Sequence, residues 1–145
     1  MLVDFYHLAS SPIERVLPGI CEKVLAGGGR LLIVAAEPLL GALDRHLWAY
    51  APAAFVPHGR SDGPSPDAQP VLLSAGTEAA NGAANIALAD GLWREEALSF
   101  ERVFYFFGTA NLDAARAAWR AVSGRAEVEA RYWKQDERGK WVLGP

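Results

Sequence analysis

The chain has 145 residues, of which 51% are hydrophobic and 21% are charged, and its formal net charge is −3. This size and composition are typical of one soluble globular domain with a core of its own. A net negative charge argues against direct, sequence-independent DNA binding, which needs a basic surface to displace counterions from the phosphates. We therefore expect no direct nucleic-acid partner.

The sequence gives no sign of export or of membrane insertion. The amino terminus, "MLVDF", lacks a charged segment followed by an apolar run, so no secretory signal is predicted. No apolar segment approaches the roughly 20 residues that a membrane span requires, and a cytoplasmic location is expected. Cys21 is the only cysteine; it cannot form an internal disulfide and fits a small core residue of a helix.

The first predicted elements are a strand and a helix. Residues 2–8, "LVDFYHL", combine alternation with aromatic side chains and predict a strand. The following "SSPIE" predicts a helix start, in which Ser11 caps, Pro12 takes the first helical position and Glu14 completes an S-x-x-E box. Pro18 predicts either a kink in this helix or a later start at that residue.

Strand and helix patterns then alternate to the end of the chain. A long loop over 58–70 is rich in Pro, Gly, Asp and Ser, and 136–139 could turn a hairpin. Further strands are predicted at 30–36, 71–74, 85–89, 102–107 and within 128–144, and further helices at 38–50 and 112–122. The alternation predicts a single α/β domain with three layers and a mostly parallel, Rossmann-like sheet, although it does not predict the strand order.

No motif for catalysis, metal binding or cofactor binding is apparent. Gly27, Gly28 and Gly29 leave a helix and enter a strand, the opposite order to a phosphate-binding loop, and fit a helix end instead. The three histidines, His7, His46 and His58, lack metal-ligand spacing. No G-x-S-x-G motif is present. We therefore predict a protein without catalytic residues, metal or cofactor.

A nucleotide-binding enzyme of the doubly wound α/β type is the competing interpretation. It requires a phosphate loop after the first or second strand. The only candidate is "HLASSPIE", residues 7–14, in which Ser10 and Ser11 lie at a predicted helix start after a strand. This segment contains neither glycine nor lysine, which disfavours the enzyme.

The helix predicted at 112–122 has a basic edge beside its apolar face. At 100° per residue the core-facing stripe consists of Leu112, Ala115, Trp119 and Val122. Arg116 and Arg120 lie on one flank, one turn apart. Two guanidinium groups beside an aromatic edge suit an acidic peptide with an apolar end. Surface arginines on helices are common, however, so spacing alone favours a solvated edge with Trp119 in the core.

The segment "RHLWAYAPAAFVPHG", residues 45–59, contains a tryptophan that does not fit its helix. The core face of the helix predicted at 38–50 consists of Leu39, Leu43, Leu47 and Tyr50, with Leu40 at its edge. Trp48 lies roughly 130° from the centre of that face. Phe55, beyond the break at Pro52, could fold back beside it. The two aromatics form either a docking surface or a small satellite core under the 59–70 loop, and periodicity leaves both open.

Several of these segments together resemble a known family over essentially the whole chain. They are "DFYHL" at the amino terminus, "LDRHLWAYAPAAFVPHG", "PVLLS", "NIALA" and the arginine-rich helix leading to "YWK". The most specific part is "LDRHLW" followed by "FVPH". The chain resembles the chi subunit of bacterial DNA polymerase III, part of the clamp-loader assembly.

The resemblance implies a non-catalytic α/β adaptor with two binding surfaces. One surface binds the acidic C-terminal tail of single-stranded DNA-binding protein, which ends in apolar residues. The residues that match this surface are Arg116, Trp119 and Arg120, with an aromatic wall from Tyr105 or Phe107. The other surface binds the psi subunit or a repair helicase, and matches Trp48 and Phe55.

Overall fold

The structure is a computed structural model that describes residues 1–9, 11–49 and 57–144. Its eight strands form one sheet in the order β3-β4-β2-β5-β6-β1-β7-β8, and all neighbours are parallel except β7 and β8. The strands are β1 Leu2–His7, β2 Leu31–Val34, β3 His58–Arg60, β4 Val71–Ser74, β5 Asn85–Leu88, β6 Arg102–Phe107, β7 Glu129–Gln135 and β8 Trp141–Leu143. The helices are α1 Ile13–Ala26, α2 Leu39–Ala49 and α3 Leu112–Ser123, and short 3-10 helices cover Pro66–Ala68, Glu95–Ser99 and Thr109–Asn111.

Helices cover both faces of the sheet, which confirms the predicted α/β class with three layers. The apolar sides of α1 and α2 pack on one face. The apolar side of α3 and the 3-10 helix Glu95–Ser99 pack on the other face. Because the inner strands β2 and β4 are covered from both sides, all of their residues are buried, as their continuous apolar sequences predict. No helix in the described ranges is long and apolar enough to cross a membrane.

Two details of the predicted first helix are wrong. Ser11 does not cap it: Pro12 occupies the N-cap position, and no side chain caps this end. Ser11 instead forms two hydrogen bonds with Gln135. The Ser11 backbone N–H donates to Gln135 Oε1 at 3.2 Å, and Gln135 Nε2 donates to Ser11 Oγ at 3.0 Å. Pro18 lies inside α1, so the alternative of a later helix start is also wrong.

The carboxyl-terminal segment forms the expected hairpin, whereas the long loop contains more structure than predicted. β7 and β8 are antiparallel, and the Asp136 N–H donates to the Lys140 carbonyl at 2.8 Å. Gly139 has a φ of 80°, a conformation that suits glycine. In the 58–70 loop, β3 pairs with β4. The alternating apolar pattern that identifies a strand is absent from "HGR", so the sequence did not reveal β3.

A buried carboxylate joins the three strands β6, β1 and β7. Asp4 is fully buried and lies directly opposite Arg131 on β7 and Phe104 on β6, with Arg102 two residues before Phe104. It accepts hydrogen bonds from Arg131 at 2.7 and 3.1 Å, from Arg102 at 3.1 Å and from Trp133 Nε1 at 2.9 Å. Burial alone would raise the pKa of Asp4, but the hydrogen bonds from Arg131, Trp133 and Arg102 outweigh it, and the pKa is lowered.

The Asp4→Asn variant should lose about 3 kcal/mol of folding free energy at neutral pH, because it leaves two partly buried guanidinium groups without their carboxylate. The lowered pKa of Asp4 stabilises the fold fully above the unfolded-state value near 4. This contribution is lost as the pH falls below that value toward the folded-state pKa. Urea unfolding between pH 7 and pH 3 measures both effects.

The matched control removes an exposed ion pair, Arg125 with Glu127 at 3.0 Å. The Arg125→Gln variant should change stability by less than about 0.5 kcal/mol, because exposed pairs contribute little. Equal losses in the two variants, or an Asp4→Asn variant with the acid sensitivity of the wild type, would contradict this role for Asp4.

Candidate functional site

An apolar pocket lies between α3 and the face of the sheet beneath it. We call it the α3 pocket; it encloses about 300 Å³. Its lining residues come from three strands and one helix: Phe5, Phe107, Leu112, Ala115, Arg116, Trp119, Arg120 and Tyr132. Aromatic rings form most of the walls, and the two arginines are exposed at the rim. The pocket therefore offers apolar walls below and positive charge above.

Four of the five residues predicted for the tail surface line this pocket. They are Arg116, Trp119, Arg120 and Phe107. Tyr105 does not line it and is fully buried, so it is excluded as a wall of this pocket. Its ring packs against Phe5 at 5.4 Å between centroids, and its hydroxyl donates to the Gly91 carbonyl at 2.8 Å. Burial raises the pKa of Tyr105 to about 12, so the phenol keeps this proton at neutral pH.

The core stripe of α3 differs from the predicted one. The buried residues of this helix are Ala115, Ala118 and Val122, whereas Leu112 and Trp119 are only partly buried at its edge. Trp119 therefore packs at the edge of the core and also lines the pocket. Its ring meets Phe5 edge-on at 5.2 Å and Tyr132 edge-on at 6.3 Å, which leaves one side open to the pocket. Periodicity alone could not separate Ala118 from Trp119, since both fall within one arc of the helix.

The basic rim of the pocket has unused hydrogen-bonding capacity. Within the described ranges, neither Arg116 nor Arg120 forms an ion pair or a hydrogen bond. A guanidinium group has five N–H donors, arranged to bind carboxylates in a fork. Burial raises the pKa of Tyr132 and the charge of Arg116 opposes that change, so this cation also acts on the pocket wall.

The sequence prediction missed two aromatic walls, Phe5 and Tyr132. Each belongs to a strand, and the two residues lie directly opposite each other in the β1–β7 register. Alternation along "VDFYH" and "ARYWK" places Phe5 and Tyr132 on the face opposite to Asp4 and Arg131. This alternation could be predicted from the sequence, but the pairing of β1 with β7 could not.

Trp48 lies on the surface, as its position on the helical wheel predicts. It is 60% exposed, whereas the buried residues of α2 are Leu40, Leu43 and Leu47. Leu40, expected at the edge of this face, is among its buried residues, whereas Leu39 is only partly buried. Phe55 and Tyr50 lie outside the described residues.

Trp48 lies in a groove on the surface, and a buried histidine packs against its ring. The Trp48 ring lies 4.7 Å from the ring of His58, whose Nε2 is 3.3 Å from Asp44 Oδ1. His58 is buried, so it contacts the exposed Trp48 ring from the side of the protein interior. The groove continues past Arg60, which pairs with Glu37 at 2.6 Å and with Asp62 at 2.9 Å. We call this area, from Asp44 and Trp48 to Arg60, the Trp48 surface.

The two areas are on opposite faces of the sheet. The α3 pocket belongs to the face covered by α3. The Trp48 surface belongs to α2, which covers the other face, and to β3 at the far edge of the sheet. A peptide on one area therefore leaves the other area accessible.

The described residues contain no cluster of His, Cys, Asp or Glu side chains suited to a metal ion. The segment considered for a phosphate loop, residues 7–14, includes Ser10, which lies outside the described residues. The Ser11 hydroxyl in that segment is engaged by Gln135.

The fold defines a three-layer α/β domain of Rossmann-like layout. Residues 1–128 match the family model of the DNA polymerase III chi subunit, HolC. The chain therefore belongs to the DNA polymerase III chi subunit family. A comparison with curated proteins finds no match. The family is that of a DNA polymerase III accessory subunit, which associates the chain with DNA replication.

The exposure of Trp48 predicts that its truncation is tolerated by the fold. The Trp48→Ala variant should lose less than about 1 kcal/mol, because little apolar area is removed from the core. The adjacent Leu47 is 2% exposed, and its Leu47→Ala variant should lose about 2–5 kcal/mol. Thermal or urea unfolding of both variants measures the difference. A loss for Trp48→Ala as large as that for Leu47→Ala would show that the tryptophan is a core residue.

Proposed function

We propose that this protein is a non-catalytic adaptor of the replication machinery in the cytoplasm. In this role it links the acidic C-terminal tail of single-stranded DNA-binding protein to the clamp loader, through the psi subunit, or to a repair helicase. The observation that carries the proposal is the α3 pocket, an apolar cavity whose rim holds two arginines without acidic partners in the described residues. Membership of the chi subunit family supports the same role.

The proposed ligand of the α3 pocket is a short peptide with carboxylates and an apolar end. Its carboxylates would pair with Arg116 and Arg120, which lie one helical turn apart. Its terminal aromatic side chain would enter the space between Trp119, Phe5 and Tyr132, whose rings suit edge-to-face packing. The charged contacts are exposed, so binding should weaken as the salt concentration rises.

The proposed contact for psi or a helicase is the Trp48 surface. Exposed tryptophan is enriched among the residues that dominate binding energy at interfaces. Here the contact with His58, supported by Asp44, limits the motion of the ring before binding, which lowers the entropy cost of association. Phe55 belongs to the same proposed contact by its match to the family pattern.

An Arg120→Glu substitution should weaken binding of an acidic peptide with a terminal phenylalanine by at least tenfold, because it replaces attraction at the rim by repulsion. Isothermal titration calorimetry with the purified chain measures the affinity. The fold should be unchanged, since Arg120 is exposed.

The matched control is Arg45→Glu, which makes the same change of charge at an exposed arginine of α2, on the other face. This control should bind the peptide with an affinity within about twofold of the wild type, because the distance and the solvent screen the change. Equal affinities of Arg120→Glu and wild type would rule out the α3 pocket as the peptide site.

The second surface is tested by Trp48→Ala, with the psi subunit or the helicase as the binding partner in a pull-down. We expect this variant to lose that partner and to keep the wild-type affinity for the acidic peptide, since the two areas lie on opposite faces. Arg120→Glu should show the reverse pattern. Loss of both ligands in Trp48→Ala would mean that the substitution acts through the fold.

A further inference from the structure

The carboxyl-terminal hairpin, formed by β7, β8 and the turn between them, carries two of the three lysines of the chain. They are Lys134 and Lys140, and the third is Lys23 on α1. All three side chains are exposed. The two hairpin lysines follow residue 128, where the match to the family model ends. Among the residues that the structure describes, neither hairpin lysine has an ion pair or a side-chain hydrogen bond, so two ammonium groups can bind a ligand there.

The alternation of the strands places both lysines on the side of the hairpin that faces the α3 pocket. Tyr132 packs on the α3 side of the sheet, whereas the next residue, Trp133, packs on the opposite side. Lys134 follows Trp133 in β7 and therefore lies on the same side as Tyr132. Trp141, the first residue of β8, also packs on the opposite side. Lys140 directly precedes it, so the same alternation turns Lys140 to the α3 side.

The hairpin also holds one wall of the α3 pocket. The N–H of Gly144, directly after β8, donates to the Tyr132 carbonyl at 2.7 Å. A Cβ atom at Gly144 would lie 2.5 Å from Cδ1 of Tyr132, so the tyrosine ring lies against the backbone of the second strand. Burial raises the pKa of Tyr132 and the charge of Arg116 opposes this change, which places the arginine rim near the same ring. Tyr132 therefore connects the basic rim of α3 to the hairpin.

The spacing along the hairpin fits a short extended peptide. Lys134 lies two residues beyond Tyr132, about 7 Å along the strand, and Lys140 lies opposite Asp136, about 13 Å from Tyr132. An extended peptide advances about 3.3 Å per residue, so four of its residues span this distance. The Asp136 carboxylate accepts from the backbone N–H groups of Arg138 and Lys140, both at 2.9 Å. The two lysines outnumber this carboxylate, so this side of the hairpin favours an acidic ligand.

We propose that Lys134 and Lys140 form a second basic subsite, which binds the carboxylates of an acidic peptide upstream of the part held in the α3 pocket. This inference rests on the proposed function, because the subsite is reached by a peptide whose apolar end occupies that pocket. Arg116 and Arg120 bind the carboxylates nearest to the apolar end, and the hairpin lysines bind those further from it. Affinity therefore increases with upstream carboxylates, and the gain decreases as the salt concentration rises.

The experiment compares two acetylated peptides of equal length that both end in aspartate and phenylalanine. The four residues before this end include two aspartates in one peptide and two asparagines at the same positions in the other. In calorimetric titration of the full chain at low salt, the wild type should bind the aspartate peptide about fourfold more tightly than the asparagine peptide. The double variant Lys134→Gln, Lys140→Gln should bind the two peptides with affinities that agree within about 1.5-fold.

The third lysine provides the matched control. Lys23→Gln removes the same charge from an exposed lysine of α1, on the other face of the sheet, and should keep the fourfold preference. The lysines can also be followed directly, by reaction with an amine-acylating reagent and peptide mapping by mass spectrometry. Bound aspartate peptide should slow the acylation of Lys134 and Lys140 and leave that of Lys23 unchanged.

Three results would overturn the inference. Equal affinities of the wild type for the two peptides would refute it and leave the proposed function intact; the lysines would then serve only to protect an exposed sheet edge from pairing. A preference for the aspartate peptide that persists in the double variant would assign the upstream carboxylates to another surface. Absence of binding of both peptides would refute the proposed function, and this inference with it.

Discussion

The contacts of the buried Asp4 carboxylate fix the register on which the α3 pocket depends. Asp4 forms ion pairs with Arg131, directly opposite on β7, and with Arg102 of β6, which is paired with Leu2, so the carboxylate connects β1 to both of its neighbours. One residue further on, the same register sets Phe5 opposite Tyr132. A shift of one residue between β1 and β7 would turn Tyr132 to the other face and open the pocket. Polar pairing on one face of the sheet therefore positions aromatic side chains on the other.

The separation of the two candidate surfaces follows from the three-layer architecture. The helices α2 and α3 cover opposite faces of the sheet, so ligands bound to α2 and to α3 do not compete for space. This arrangement suits the proposed adaptor role, in which two partners are held at once. The sheet between them is densely packed and gives a rigid spacing between the two proposed contacts.

The strands, the helices and the exposed side chains could be predicted from the sequence. The features that depend on strand order could not. Alternation and helical periodicity located the main strands and helices and placed Trp48 outside the core stripe of α2. They did not reveal that β7 lies beside β1, and so Tyr132 and Phe5 were not recognised as pocket walls. Tyr105 and Phe107 lie on the same face of β6, yet only Phe107, at the end of the strand, lines the pocket. Nor could Ser11 be excluded as a cap, because its partner Gln135 is 124 residues away.

The most direct test of the proposed role is a crystal structure of the chain with an acidic peptide that ends in phenylalanine. We expect the phenylalanine ring to occupy the space between Phe5, Trp119 and Tyr132, with peptide carboxylates on Arg116 and Arg120. A peptide bound instead at the Trp48 surface, or with its aromatic end outside the α3 pocket, would contradict the proposed role of this pocket.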